Sequence, residues 1–71
     1  ATIPFDVPEQ ADVRIDVYDL LGRRVARVVD GPYAAGSYRI SFDAHRLASG
    51  VYVYRMEAGS YVSTQTMHIV R

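Results

Sequence analysis

The sequence predicts a small antiparallel β-sandwich, and three observations carry that prediction. Apolar residues recur at every second position in several short runs, the runs are separated by glycine, proline and aspartate, and no stretch of helix length carries an apolar stripe. The strongest run is Val13 to Tyr18, where Val13, Ile15 and Val17 share one face and Arg14, Asp16 and Tyr18 the other. One face is expected to be core and the other solvent.

The elements follow in order. Ile3, Phe5 and Val7 alternate with Pro4 and Asp6, which predicts an opening strand whose Pro4, lacking a donor, suits a sheet edge. Pro8 to Ala11 turns the chain into the Val13 strand, and Gly22 supplies the positive φ of a short hairpin loop. The return strand spans about 23–29, where Val25, Val28 and Val29 break simple alternation and predict a bulge or twist. Asp30-Gly31-Pro32 and Ala35-Gly36 are expected to bracket a loop, with Gly36 left-handed. Tyr38, Ile40 and Phe42 form the next alternating set, after which Asp43 caps a single helical or 3₁₀ turn over Ala44 to Ala48, Leu47 pointing inward and Gly50 ending it. Val51 to Ala58 alternates again with Tyr52, Tyr54 and Met56 on one face, and Gly59-Ser60 leads into a last strand from Tyr61 to Val70. Six to seven short strands at this spacing fit an immunoglobulin or fibronectin-III-like sandwich.

Composition narrows the function classes. A chain of 71 residues makes one domain and hides only about 60 % of the surface its unfolded form exposes, so its stability is expected to be marginal. With no cysteine, neither a disulfide nor a thiolate metal site can staple it. Eight acidic and eight basic side chains cancel, which removes the long-range attraction a nucleic-acid module uses on phosphates. No apolar run approaches the roughly 20 residues of a membrane span, and no signal-peptide pattern opens the chain.

Catalysis requires a base, a nucleophile and an orienting group converging in a pocket, yet the candidate bases near neutral pH, His45 and His68, stand in no recognisable motif. Asp16 and Asp19 lack the glycine-containing spacing of a calcium loop. The expectation is a non-enzyme with no metal or cofactor. Six tyrosines raise the alternative of an aromatic sugar platform, but Tyr38 shares a face with Ile40 and Phe42, and Tyr52 and Tyr54 share one with Met56, which assigns them to the core and leaves Tyr18 on a polar face and Tyr33 in a loop as the exposed aromatic candidates. Gly22, Gly36, Gly50 and Gly59 are read as structural turns.

Several ordered motifs add a resemblance. Thr2 to Pro8, Val17-Tyr18-Asp19-Leu20-Leu21-Gly22-Arg23, Phe42-Asp43, Ala48-Ser49-Gly50-Val51-Tyr52-Val53-Tyr54 and Thr66 to Arg71 resemble, in that order, the C-terminal sorting domains of proteins exported by the bacterial type IX secretion system. The immunoglobulin-like domain of flagellar hook-capping proteins is similar too, but its loop before the tyrosine pair is usually longer than Ala44 to Ser49. The resemblance implies a single module, residues 1–71, closing a larger secreted protein of a Gram-negative bacterium, read by outer-membrane secretion machinery and cell-envelope components and then cleaved or used to hold its cargo at the cell surface. It further implies that the terminal strand, through Thr66, His68 and Arg71, contributes to partner recognition, and that the module alone is monomeric. The family often has a lysine where Thr66 stands, so Arg71 is the one cation in the last ten residues. It also often carries an Asn-Pro-Phe-Asn-like segment ahead of the opening strand, and this chain opens after that point. The alternative is an accessory carbohydrate-binding or structural immunoglobulin-like module of an extracellular enzyme.

Overall fold

Alternation at Ile3, Phe5 and Val7 produces the first strand, β1 (Thr2–Val7), which buries those three side chains and exposes the residues between them. The computed structural model describes residues 2–45 and 47–70. Over these the chain continues as β2 (Ala11–Tyr18), β3 (Arg24–Tyr33), β4 (Gly36–Ser41), β5 (Gly50–Ala58) and β6 (Tyr61–Ile69). All pairings are antiparallel. β1 and β4 form a two-stranded sheet, and the remaining strands form a four-stranded sheet in the order β3-β2-β5-β6. The two are layered as a sandwich, as the spacing of the alternating runs predicts.

The core lies between the sheets. Val13, Ile15 and Val17 of β2 are at most 1 % exposed, and they join Ile3, Phe5 and Val7 of β1, Val29 of β3, Tyr52, Met56 and Ala58 of β5 and Ile69 of β6 in one apolar cluster. Register explains the set: Val13, Ile15 and Val17 stand opposite Ala58, Met56 and Tyr54, so the period-two face of β2 continues directly into that of β5. Phe5, Tyr33 and Tyr38 knit the layers with one stacked and two edge-on ring contacts, centroids 5.0 to 5.6 Å apart. The narrower sheet leaves part of the wider one uncovered, and a groove of about 270 Å³ runs between β1 and the inner face of β6.

Two expectations about β3 resolve differently. The broken alternation is two bulges: Ile15 pairs with Val29 and Asp16 with Arg27, skipping Val28, while Val17 pairs with Ala26 and Tyr18 with Arg24, skipping Val25. Each extra residue resets the phase, so both skipped valines still pack against the core. The loop expected at Asp30-Gly31-Pro32 is instead strand, with Gly31, Pro32 and Tyr33 paired to Val13, Asp12 and Ala11. β2 starts early enough to give these residues partners, and Pro32 is tolerated because β3 is an edge strand.

The approaches to β4 and β5 share a device that pattern reading missed. Residues 34–38 (Ala-Ala-Gly-Ser-Tyr) and 48–52 (Ala-Ser-Gly-Val-Tyr) have the same Ala-x-Gly-x-Tyr spacing. In each, the glycine opens the strand at a φ of +152° or +153°. The tyrosine hydroxyl then donates back to the alanine carbonyl four residues earlier, Tyr38 to Ala34 at 2.6 Å and Tyr52 to Ala48 at 2.8 Å. These are tyrosine corners: the ring is an inward wedge and the hydroxyl fastens the incoming loop. Gly36 and Gly50 are therefore strand openings rather than turn centres, and Gly50 does not end a helical turn. Among the described residues of the expected turn before it, His45 N donates to Asp43 Oδ1 and Leu47 N donates to Ala44 O. Leu47 packs inward as expected. Gly22 and Gly59, at φ +84° and +62°, are true turn residues.

Tyr52 therefore carries both burial and a tie to the loop. Tyr52→Phe should lose about 1 kcal/mol, the net worth of one hydrogen bond, and Tyr52→Ala about 3–5 kcal/mol. Chemical denaturation should show that order, with Arg55→Ala, on the outer face, nearly unchanged; equal effects of the two tyrosine variants would mean that the ring is not packed.

Candidate functional site

The outer face of the four-stranded sheet is built by the same bulges. On β2 the outward residues Arg14, Asp16 and Tyr18 are two apart, whereas their partners on β3, Asp30, Arg27 and Arg24, are three apart because one residue is skipped between each pair. On the other flank Arg14 faces Glu57, Asp16 faces Arg55 and Tyr18 faces Val53. Four arginines, Tyr18 and two carboxylates thereby line a shallow depression of about 230 Å³.

Asp16 is its anchor. The expected solvent face is not solvated here: Asp16 is 7 % exposed, and the Nε of Arg27 donates to its Oδ1 at 2.9 Å. That hydrogen bond is the main reason the Arg27 guanidinium is pushed further up, against partial desolvation and helped by the charges of Asp16 and Asp30. Arg27 stays cationic and the pair stays intact. Glu57 is shared, ion-paired with Arg55 at 3.0 Å and standing 4.0 Å from Arg14. The arrangement holds planar cations along a sheet face, which suits carboxylate recognition.

Beyond Tyr18 the β2–β3 turn is fixed by one side chain. Asp19 Oδ1 accepts from Leu21 N at 2.9 Å and Arg23 N at 3.0 Å, its Oδ2 accepts from Arg23 Nε at 2.9 Å, and its backbone bonds Arg23 and Gly22. The backbone donor of Arg23 is the largest influence holding the Asp19 carboxyl below its ordinary range; burial opposes it, and the Arg23 side chain and Leu21 amide assist. Leu20 and Leu21 project from this turn 71 % and 78 % exposed. Pattern reading recognised the turn but not that its leucines stay in solvent.

Of the expected recognition residues, Thr66 and His68 lie exposed on the outer face of β6, opposite Val53 and Val51, and Arg71 lies outside the described residues. The structure brings Thr66 into the row Arg24, Tyr18, Val53, Thr66. The aromatic pair does not hold together. Tyr18 is half-buried on that face, whereas Tyr33, expected in a loop, is the last residue of β3 and packs against Phe5 and Tyr38. The exposed tyrosine is Tyr61, at 46 %. His45 is exposed beside Asp43, and among the described residues no three histidine or carboxylate side chains are grouped to hold a metal.

The sequence matches the family model described as secretion system C-terminal sorting domain, over residues 1–70. The chain belongs to the type IX secretion sorting-domain family. No curated protein and no solved structure matches it. The sorting domain is the signal by which type IX secretion handles its cargo, so the module interacts with that machinery, and the protein carrying it is secreted to the cell surface of a Gram-negative bacterium. No helix among the described residues is long and apolar enough to cross a membrane.

The turn of this sorting domain should respond to acid with a definite sign. Because the folded-state pKa of Asp19 is lowered, its contribution is present above the ordinary carboxylate range and is lost as pH falls through the lowered value. The Leu21 and Arg23 amide resonances, followed by NMR, should move together at that lower pH, and titration at the ordinary value would contradict the bonding described. Gly22→Val meets open space but a φ of +84°, so strain alone should lower stability by about 1–3 kcal/mol, read as a fall in melting temperature of several degrees.

Proposed function

We propose that the chain is a non-catalytic module at the C-terminus of a larger secreted protein, that outer-membrane secretion machinery reads it in the folded state, and that cell-envelope components then retain the cargo at the surface. The observation carrying this reading is that the family match spans residues 1–70, which include all six strands, so the sorting fold uses every described element. Thr66 and His68 on the outer face of β6, with Arg71 after them, are the terminal-strand recognition candidates. Packing of Tyr33 into the core takes away half of the aromatic pair a sugar-binding reading relied on, which favours sorting over a carbohydrate module.

A reporter fused ahead of the module should reach the medium or the cell surface in a host with a working type IX system and stay periplasmic in one without it. The combined Thr66→Glu and His68→Glu change, at exposed positions, should reduce export without altering the melting temperature. Periplasmic retention of the intact fusion in the competent host would overturn the sorting role. Unchanged export of the double variant would remove those two residues from recognition.

A further inference from the structure

The hairpin turn of β2 and β3 holds two large apolar side chains away from the core. Leu20 and Leu21 are adjacent in sequence and 71 % and 78 % exposed, although the chain is short of apolar burial and closes its core with half-buried tyrosines. They are also held stiffly. The hydrogen bonds of Asp19 to Leu21 N, Arg23 N and Arg23 Nε, with the Gly22 N to Asp19 O bond, define the loop without any contribution from leucine packing. The ordering entropy of these backbone positions is therefore already spent before anything binds.

Register places other apolar groups at the same end of the sheet. β2 pairs with β5 up to Tyr18 opposite Val53, so the turn lies at the end where β5 begins and β6 finishes. Val51, 37 % exposed, and Val70, 88 % exposed, stand there. Asp19 is neutralised by Arg23, whose side chain is nevertheless 73 % exposed, and Arg24 has no carboxylate partner among the described residues. Arg24 and Tyr18 in turn border the arginine-lined depression, so the cationic character continues from the turn onto the sheet in a chain whose formal net charge is zero.

We propose that this turn is a preformed docking wedge, inserted into an apolar socket with a carboxylate-bearing rim on a protein of the secretion machinery. Leu20 and Leu21 fill the socket, and Arg23 and Arg24 meet the rim. A fixed turn geometry favours a shaped protein pocket over a bilayer, whose fluid chains accept a flexible loop equally well. Two leucines are also a small anchor for a lipid surface. The inference rests on the sorting function proposed above.

The test uses the full chain fused to a reporter in a type IX competent host, comparing wild type, L20S/L21S, L20M/L21M and R24E. The secreted fraction should fall about tenfold for L20S/L21S, should persist for L20M/L21M, and should fall roughly threefold for R24E. Melting temperatures of the purified chains should be unchanged, because the side chains are exposed. Wild-type export together with equal export of L20S/L21S overturns the wedge alone; an unexported wild-type fusion overturns the sorting reading and the wedge with it. Flotation with phosphatidylethanolamine/phosphatidylglycerol vesicles supplies the remaining arm: binding by wild type that L20S/L21S abolishes assigns the leucines to lipid and overturns the protein socket, and absence of binding supports it.

Discussion

The constraint on which this structure depends is that a two-stranded sheet has to close the core of a four-stranded one. Ile3, Phe5 and Val7 are the whole apolar contribution of β1, and they lie against β2, whose Val13, Ile15 and Val17 are shielded by strands on both sides and by the opposite layer. A strand pair is marginal by itself. β1 and β4 persist because burial on the larger sheet holds them there, and without that contact β2 would expose its inner face. The narrow cover also explains the groove beside β6 and the half-burial of Tyr54 in a row otherwise occupied by core residues.

With so little apolar area available, the loops are fastened by polar groups. The paired tyrosine corners do this at two of the three strand openings that follow a crossing between sheets, where the chain has just left its previous hydrogen-bonded partner. Asp19 does it at the β2–β3 turn. Among the described residues, no buried side-chain nitrogen or oxygen lacks a partner, Asp16 included. That is the condition under which a buried carboxylate is tolerated in a small domain.

The division of labour between the faces has a functional consequence. The inner faces are committed to holding the layers together, so recognition falls to the outer face of the four-stranded sheet, the strand ends and the turns. Bulges in β3 matter here more than in the core, because they set the arginines of β3 beside the acids and tyrosine of β2. A regular strand would have turned one of Arg24 and Arg27 inward.

What the sequence determined by itself is whatever depends on near neighbours. Period-two alternation identified β1, β2, β5 and the core face of each, and the positive-φ turn at Gly22 followed from the hairpin it had to close. The ordered motifs indicated the family that the match over residues 1–70 shows. What only the tertiary structure decided depends on residues far apart in the chain. Asp30-Gly31-Pro32 looks like a turn locally and becomes strand because Ala11 to Val13 lie beside it. Tyr33 looks exposed until the ring of Phe5 arrives from the other sheet. Asp16 reads as a solvated acid until the bulges deliver Arg27 to it. Leu20 and Leu21 read as ordinary apolar residues, and their exposure follows only from where the sandwich ends, since burial is a property of what packs against a side chain and not of the side chain alone.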